Sequence, residues 1–245
     1  FKCEKIAIES LKHFVSKEAL NIDGFGKKIV EKFWELNLIK FPQDIFNLDF
    51  EKIKKFDGWG ELSVSNLKYS IEKSKKISLE RFIYALGIRH IGQENARLLS
   101  QHLKNVENFC GLSNDNNIEV LLNIDGIGET QIKSIKNFFS NKTNVSVLEK
   151  LNKIMTIYNA AILKKDGILK NKAFMFTGKL KEISRAEAKS LVEQNSGKII
   201  SNVNNKLNFL VIGEKPTSKK IKKAKELKIK ILTQDEWIKM LNKTR

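Results

Sequence analysis

The sequence predicts a multidomain chain of two fold classes: an all-α domain built from a repeated helix, glycine hairpin, helix unit, followed by a small α/β domain with a mainly parallel sheet. Three observations carry this expectation. A short glycine-containing phrase recurs four times, the apolar period changes near residue 170, and 245 residues suit about two domains, each able to bury its own core.

The recurring phrase reads Ile22-Asp23-Gly24-Phe25-Gly26, Phe56-Asp57-Gly58-Trp59-Gly60, Arg89-His90-Ile91-Gly92 and Ile124-Asp125-Gly126-Ile127-Gly128. Its last glycines are 34, 32 and 36 residues apart, the period of one supersecondary unit used repeatedly. Each phrase ends one stretch with helical apolar spacing and opens another, as Ile29, Val30, Phe33 and Leu36 illustrate. This helical pattern runs from Glu9 to about Phe139, with a further helix expected over 147–157. A polar joint is expected at 164–170.

Beyond it the grammar changes. Ala173-Phe174-Met175-Phe176, Phe209-Leu210-Val211-Ile212 and Lys230-Ile231-Leu232 read as short buried strands. Ser184-Arg185-Ala186-Glu187 and Thr233-Gln234-Asp235-Glu236 have the spacing of capping boxes, with Gly197 expected to end the first of these helices. Ser218 to Leu227 reads as a lysine-rich helix. Strand and helix alternate, which calls for a parallel sheet.

The net charge of +17 points to an anionic partner. It is uneven: residues 1–165 carry +6 and residues 166–245 carry +11. Two cysteines far apart exclude a disulfide framework and suit a reducing cytoplasm. No run approaches a membrane span and no leader is visible, although Phe1 is an unusual start that suggests a piece of a longer chain.

Tight glycine turns at helix starts expose backbone N–H groups at the positive end of the helix dipole, a phosphate-binding arrangement. The expected DNA contacts are therefore Gly24, Gly26, Lys27, Lys28, Gly58, Gly60, Arg89, Gly92, Gly126 and Gly128. Gly26 and Gly128 are expected to need positive φ, and the third hairpin, with His90 in place of a first glycine, to grip less well. The apolar residues Phe25, Trp59, Ile91 and Ile127 read as core plugs, Cys110 as a small core residue and Trp237 as core.

These motifs resemble, in order and along essentially the whole chain, the C-terminal half of bacterial NAD-dependent DNA ligases. His13-Phe14-Val15-Ser16 through Gly26 is similar to the family's entry into its helix-hairpin-helix domain, Phe82 through Gly92 to its third repeat, and Phe174 through Leu241 to its BRCT domain. The resemblance implies a zinc-finger remnant at 1–13, a helix-hairpin-helix domain at 14–163, a linker at 164–170 and a BRCT domain at 171–245. It also implies that Cys3, ten residues before His13, is the last of four zinc ligands, which cannot hold zinc alone. Thr177, Gly178, Arg185 and Lys219 would line a phosphate pocket of the BRCT domain. The eight lysines from Lys215 to Lys230 would add a basic surface toward DNA or another protein.

The family seals nicks in duplex DNA during replication and repair, using NAD to adenylate a lysine, with Mg and Zn as metals. Lys164-Lys165-Asp166-Gly167 fits the adenylation signature but sits in a polar joint with no nucleotide pocket around it, so it reads as a coincidence. No catalytic residue is expected here, and the fragment alone should bind no cofactor and seal nothing. The expected partner is nicked duplex DNA, bound by a cytoplasmic monomer. Two other classes stay open from the residues: a nuclease or polymerase carrying the same modules, whose carboxylate cluster or nucleotide pocket is missing, and a phosphopeptide-reading interaction protein.

Overall fold

The computed structural model describes residues 4–113, 118–160 and 167–242. The chain divides into two compact units, 1–160 and 161–245. The helical unit contains α1 (Glu4–Val15), α2 (Lys27–Glu35), a 3-10 turn (Pro42–Asn47), α3 (Phe50–Ile53) and α4 (Glu61–Ser74). It continues with β1 (Lys76–Ser78), α5 (Leu79–Ala85), α6 (Gln93–Leu103), α7 (Val106–Gly111), a second 3-10 turn (Ile118–Asn123), α8 (Glu129–Ser140), α9 (Lys142–Ile154) and β2 (Thr156–Tyr158). Its apolar stripes close on one core that includes Leu11, Phe14, Phe33, Phe82, Leu99, Phe109, Ile135 and Leu151.

Three expectations change in this unit. Glu4–Val15 is not a remnant of a preceding module: Ala7, Leu11, Phe14 and Val15 are buried in the helical core, so this stretch folds with the repeats. Cys3 lies outside the described residues. The helix expected over 147–157 runs from Lys142 to Ile154, because Asn141 caps it by accepting from the Thr143 and Asn144 amides. The chain then turns into β2, which pairs in parallel with β1, Lys76 against Thr156. The unit is therefore helical with a two-stranded sheet tying its middle to its end. Cys110 is part-buried against the core, as expected, and burial together with Glu107 and Glu149 pushes its thiol above its ordinary pKa.

The second unit contains β3 (Ala173–Thr177), α10 (Arg185–Gln194), β4 (Lys198–Ile199), β5 (Phe209–Ile212), α11 (Ser218–Glu226), β6 (Lys230–Thr233) and α12 (Gln234–Asn242). The sheet order is β4-β3-β5-β6, with every pair parallel. Side chains alternate across a strand, so β3 sends Phe174 and Phe176 to one face and Met175 to the other. The first face is covered by residues of α10 and α12, with Trp237 fully buried edge-on to Phe176 at 5.0 Å. The second is covered by α11 through Ala224. Burial on both faces explains why the strands read as continuous apolar runs.

Both capping boxes form. Ser184 Oγ accepts from the Glu187 amide at 3.1 Å, and the Glu187 carboxylate accepts from the Ser184 amide at 2.7 Å. Thr233 and Glu236 make the same exchange at 3.2 and 2.7 Å. The end of α10 differs from expectation. Ser196, not Gly197, takes the left-handed conformation, while Gly197 is glycine because a Cβ there would lie 2.6 Å from Val192 Cγ1.

The expected joint also shortens. Leu169 is fully buried in the second core, and the Gly167 amide donates to Ser196 Oγ at 2.9 Å, so 167–170 belongs to the α/β unit. A Cβ on Gly167 would overlap the Asn195 backbone at 2.2 Å. This glycine serves packing; Lys164, Lys165 and Asp166 of the Lys-Lys-Asp-Gly sequence lie outside the described residues.

Candidate nucleic-acid interface

The four hairpins share one backbone. In each, the amide of the plug residue donates to the carbonyl three residues earlier: Phe25 to Ile22 at 3.2 Å, Trp59 to Phe56 at 3.0 Å, Ile91 to Ile88 at 3.0 Å and Ile127 to Ile124 at 2.9 Å. The third residue of each turn has positive φ: +83° at Gly24, +83° at Gly58, +62° at His90 and +92° at Gly126. Only glycine adopts this conformation without steric penalty. The following residue is the plug, buried at Phe25, Ile91 and Ile127 and half-buried at Trp59. Phe33 joins two plugs, with centroids 5.4 Å from Phe25 and 5.5 Å from Trp59.

The last glycine of each phrase is the N-cap of the next helix, ahead of α2, α4, α6 and α8. Its backbone is extended, with φ of −70°, −82°, −79° and −112° at Gly26, Gly60, Gly92 and Gly128. This corrects the expectation of positive φ at Gly26 and Gly128, which belongs one turn position earlier. Nor does packing call for glycine: a Cβ at Gly26, Gly60 or Gly92 would meet nothing within 4 Å, and at Gly128 only the Gln131 Oε1 at 3.4 Å. Ser, Thr, Asp or Asn would cap these helices at least as well. All four glycines are exposed, and the protein's own backbone conformation and packing do not account for them.

The hairpins are arranged in pairs. A Cβ on Gly24 would approach Leu67 of α4 at 3.9 Å, and one on Gly126 would approach Leu98 of α6 at 3.0 Å, so the first hairpin packs with the second repeat's helix and the fourth with the third repeat's. The stretch entering the first hairpin is locked to the third repeat: Arg81 donates to the Ala19 carbonyl, and His13 Nε2 lies 2.7 Å from the Tyr84 carbonyl oxygen.

His90 strains the third hairpin, as a side chain in place of the first glycine suggested, although the turn keeps the shared geometry. His90 takes the left-handed conformation itself, and Asn95 Nδ2 donates to its carbonyl at 3.0 Å. The other differences among the hairpins are electrostatic. Lys27 and Lys28 open α2 and are exposed, and Arg89 is exposed ahead of α6. Acidic Glu61 and Glu129 instead open α4 and α8. Glu94, in the first turn of α6, is held by Arg97, whose hydrogen bond keeps its carboxyl below the ordinary range. The fourth hairpin has a further distinction that glycine spacing did not reveal: Gln131 Oε1 accepts from the Gly128 amide at 3.1 Å. Glutamine three residues after an N-cap was the available signal.

In the second unit the residues expected around a phosphate gather at the carboxyl end of β3. Thr177 is 1 % exposed, and its Oγ1 accepts from the amide of Thr217, the N-cap of α11, at 3.2 Å. Arg185 Nη2 donates to the Gly178 carbonyl at 2.9 Å, while its buried Nε has no hydrogen-bond partner among the described residues. Gly178, at φ +88°, has a structural task as well, since a Cβ would lie 2.6 Å from the Glu214 carbonyl oxygen. Lys219 is exposed in the first turn of α11, the helix that Thr177 touches through Thr217.

Among the described residues, no group of three or more His, Cys, Asp or Glu side chains is placed to hold a metal ion, and no helix is long and apolar enough to cross a membrane.

Comparison with known proteins agrees with this architecture. Residues 81–148 match the helix-hairpin-helix motif, and residues 164–241 match the BRCA1 C Terminus (BRCT) domain. A protein named DNA ligase from Pelagibacter ubique (strain HTCC1062) is 66% identical over 244 residues, which is 100% of this chain and 36% of that protein. DNA ligases from Wolbachia pipientis subsp. Culex pipiens (strain wPip) and Rickettsia bellii (strain RML369-C) are 42% and 41% identical, over 97% and 96% of this chain and 37% and 36% of their own lengths. The chain thus spans about a third of the relatives it matches. Along its whole length the chain is similar to about a third of these DNA ligases, and it joins paired glycine hairpins to a parallel BRCT sheet.

Proposed function

We propose that this chain is the DNA-gripping, C-terminal portion of an NAD-dependent DNA ligase that seals single-strand nicks in duplex DNA during replication and repair. The observation that carries the reading is the set of four exposed N-cap glycines, which neither backbone conformation nor packing requires. They leave helix first-turn amides open to a phosphate oxygen, except that Gln131 occupies the Gly128 amide in the fourth. Paired hairpins hold both strands across the minor groove, and Lys27, Lys28 and Arg89 add charge to two of the four contacts. Contacts of this type position the protein without reading sequence.

The BRCT unit contributes an anion site from Thr177, Gly178, Arg185 and Lys219. Adenylation with NAD, and the Mg and Zn of the complete ligase, belong to parts of the protein outside this chain. The chain works as a cytoplasmic monomer within that ligase and by itself seals no nick.

The test is a salt titration of nicked-duplex binding. Four to eight neutralised phosphates give a slope of log affinity against log salt of about −4 to −7. Gly26→Val, whose extended backbone tolerates valine, keeps the fold and weakens binding. A folded Gly26→Val variant with wild-type affinity and slope would show that the hairpins are only structural turns.

A further inference from the structure

The end of the second sheet opposite Thr177 and Gly178 carries an open cleft of about 540 Å³ that the ligase reading leaves unused. It lies where β3, β5 and β6 begin side by side, and its walls include Lys172, Lys228, Lys230, Asn208, Phe209 and Leu227. No carboxylate lines it among the described residues. Glu236, whose carboxyl feels Lys230, is engaged by hydrogen bonds with Thr233. Lys228 and Lys230 are exposed. The Lys172 ammonium is aligned by the Ile168 carbonyl at 3.3 Å. The Asn208 side-chain oxygen accepts from the Ala173 amide at 2.7 Å, which pins the floor of the cleft to the first residue of β3.

Two features separate this cleft from ordinary surface charge. The first is apolar surface among the cations. Leu227 is 37 % exposed, and Phe209 is only half-buried, stacked on Phe174 with centroids 4.9 Å apart. The second is the backbone of Lys228. It follows the C-cap of α11 at φ +54°, its amide bonds to the Lys225 carbonyl at 3.0 Å, and the Ile229 amide bonds to the Ala224 carbonyl at 2.8 Å. This is a Schellman ending, in which the left-handed position favours glycine. A lysine is strained there, and its side chain borders the cleft.

We infer that this cleft binds a nucleotide of unpaired DNA, its phosphate among Lys172, Lys228 and Lys230 and its sugar and base against Leu227 and Phe209. Cations interleaved with apolar and aromatic surface are the chemistry that holds single strands, and the volume suits a ligand of one nucleotide. The inference rests on the second unit alone and stands apart from the hairpin grip.

The experiment measures binding of the whole chain to a short dT oligonucleotide and to a duplex of the same length by fluorescence anisotropy. Lys228→Gly removes the ammonium and relieves the strained backbone, so it melts no lower than wild type while its dT affinity falls. Lys228→Gly with Lys230→Gln lowers dT affinity about tenfold and duplex affinity much less. On titrating wild type with dT, amide chemical-shift changes centre on Asn208, Leu227 and Lys228. Unchanged dT affinity, equal losses for single strand and duplex, or shifts confined to the exposed lysines of α11 would each overturn the inference. Gly26→Val separates the two readings: it reduces duplex binding through the helical unit and leaves the dT-induced shifts of the second unit in place.

Discussion

Gly26 and Gly128 cap α2 and α8 with similar extended backbones, yet Lys27 and Lys28 follow the first, whereas Glu129 follows the second and Gln131 already occupies the Gly128 amide. The third and second hairpins repeat the contrast in milder form, with Arg89 beside one and Glu61 opening the other. The turn geometry is set locally, by one left-handed residue and one plug, so it survives changes in the surrounding charge. Phosphate affinity depends on that charge and on whether the amides are free. The four hairpins share one geometry and differ in charge, so on the proposed reading the odd-numbered ones should carry more of the binding.

The largest expected effect follows from blocking the strongest grip. Gly26→Val should cost about 2 kcal/mol of duplex affinity, roughly thirtyfold, by excluding phosphate from amides that make charge-assisted bonds. Gly92→Val should match it within about threefold, because the third hairpin has the same backbone; a much smaller loss would restore the distinction that His90 suggested. Parallel titrations of both variants, with circular dichroism for folding, decide this. Gly128→Val should cost less than half as much free energy as Gly26→Val, about 1 kcal/mol or below. An equal loss would break the comparison.

Reversing charge at the weak grip sharpens it further. Glu129→Lys should raise duplex affinity several-fold at low salt and steepen the salt slope by about one. His90→Gly separates geometry from charge: it should stabilise the chain by about 1 kcal/mol in thermal melts, because glycine takes the left-handed conformation freely, while changing duplex affinity less than about threefold.

The smallest effect concerns Glu94. Arg97 holds its carboxyl below the ordinary value, so the pair's stabilisation is complete above the unfolded carboxylate range and is lost as pH falls through the lower folded pKa. Glu94 is exposed, and Glu94→Gln should lower stability at neutral pH by less than about 1 kcal/mol. The difference between variant and wild type should shrink in melts as the pH is lowered and the carboxyl of Glu94 protonates.

Much of this was legible because its causes are local. A left-handed turn needs a glycine, a capping box needs Ser or Thr three residues before Glu, and a strand covered on both faces reads as an apolar run. The hairpins, the Ser184 and Thr233 caps and three of the four strands of the second unit followed from those rules. Where two residues compete for one task the rules misassigned it: Gly197 drew the helix end that Ser196 makes, and Gly26 and Gly128 drew the positive φ that Gly24 and Gly126 carry. Pairing of β1 with β2 joins residues about eighty positions apart, and nothing in Thr156-Ile157-Tyr158 alone distinguishes it from the end of a helix.

By itself, then, the sequence determined the repeat, the change of fold class and the basic character of both units, since period, punctuation and charge are properties of short segments. Only the tertiary structure decided that Glu4–Val15 and Leu169 belong to folded cores, that the N-cap glycines face open space, and that Lys172, Lys228 and Lys230 border one cleft. Burial and empty space depend on what the rest of the chain brings alongside, and that is decided only when distant segments pack.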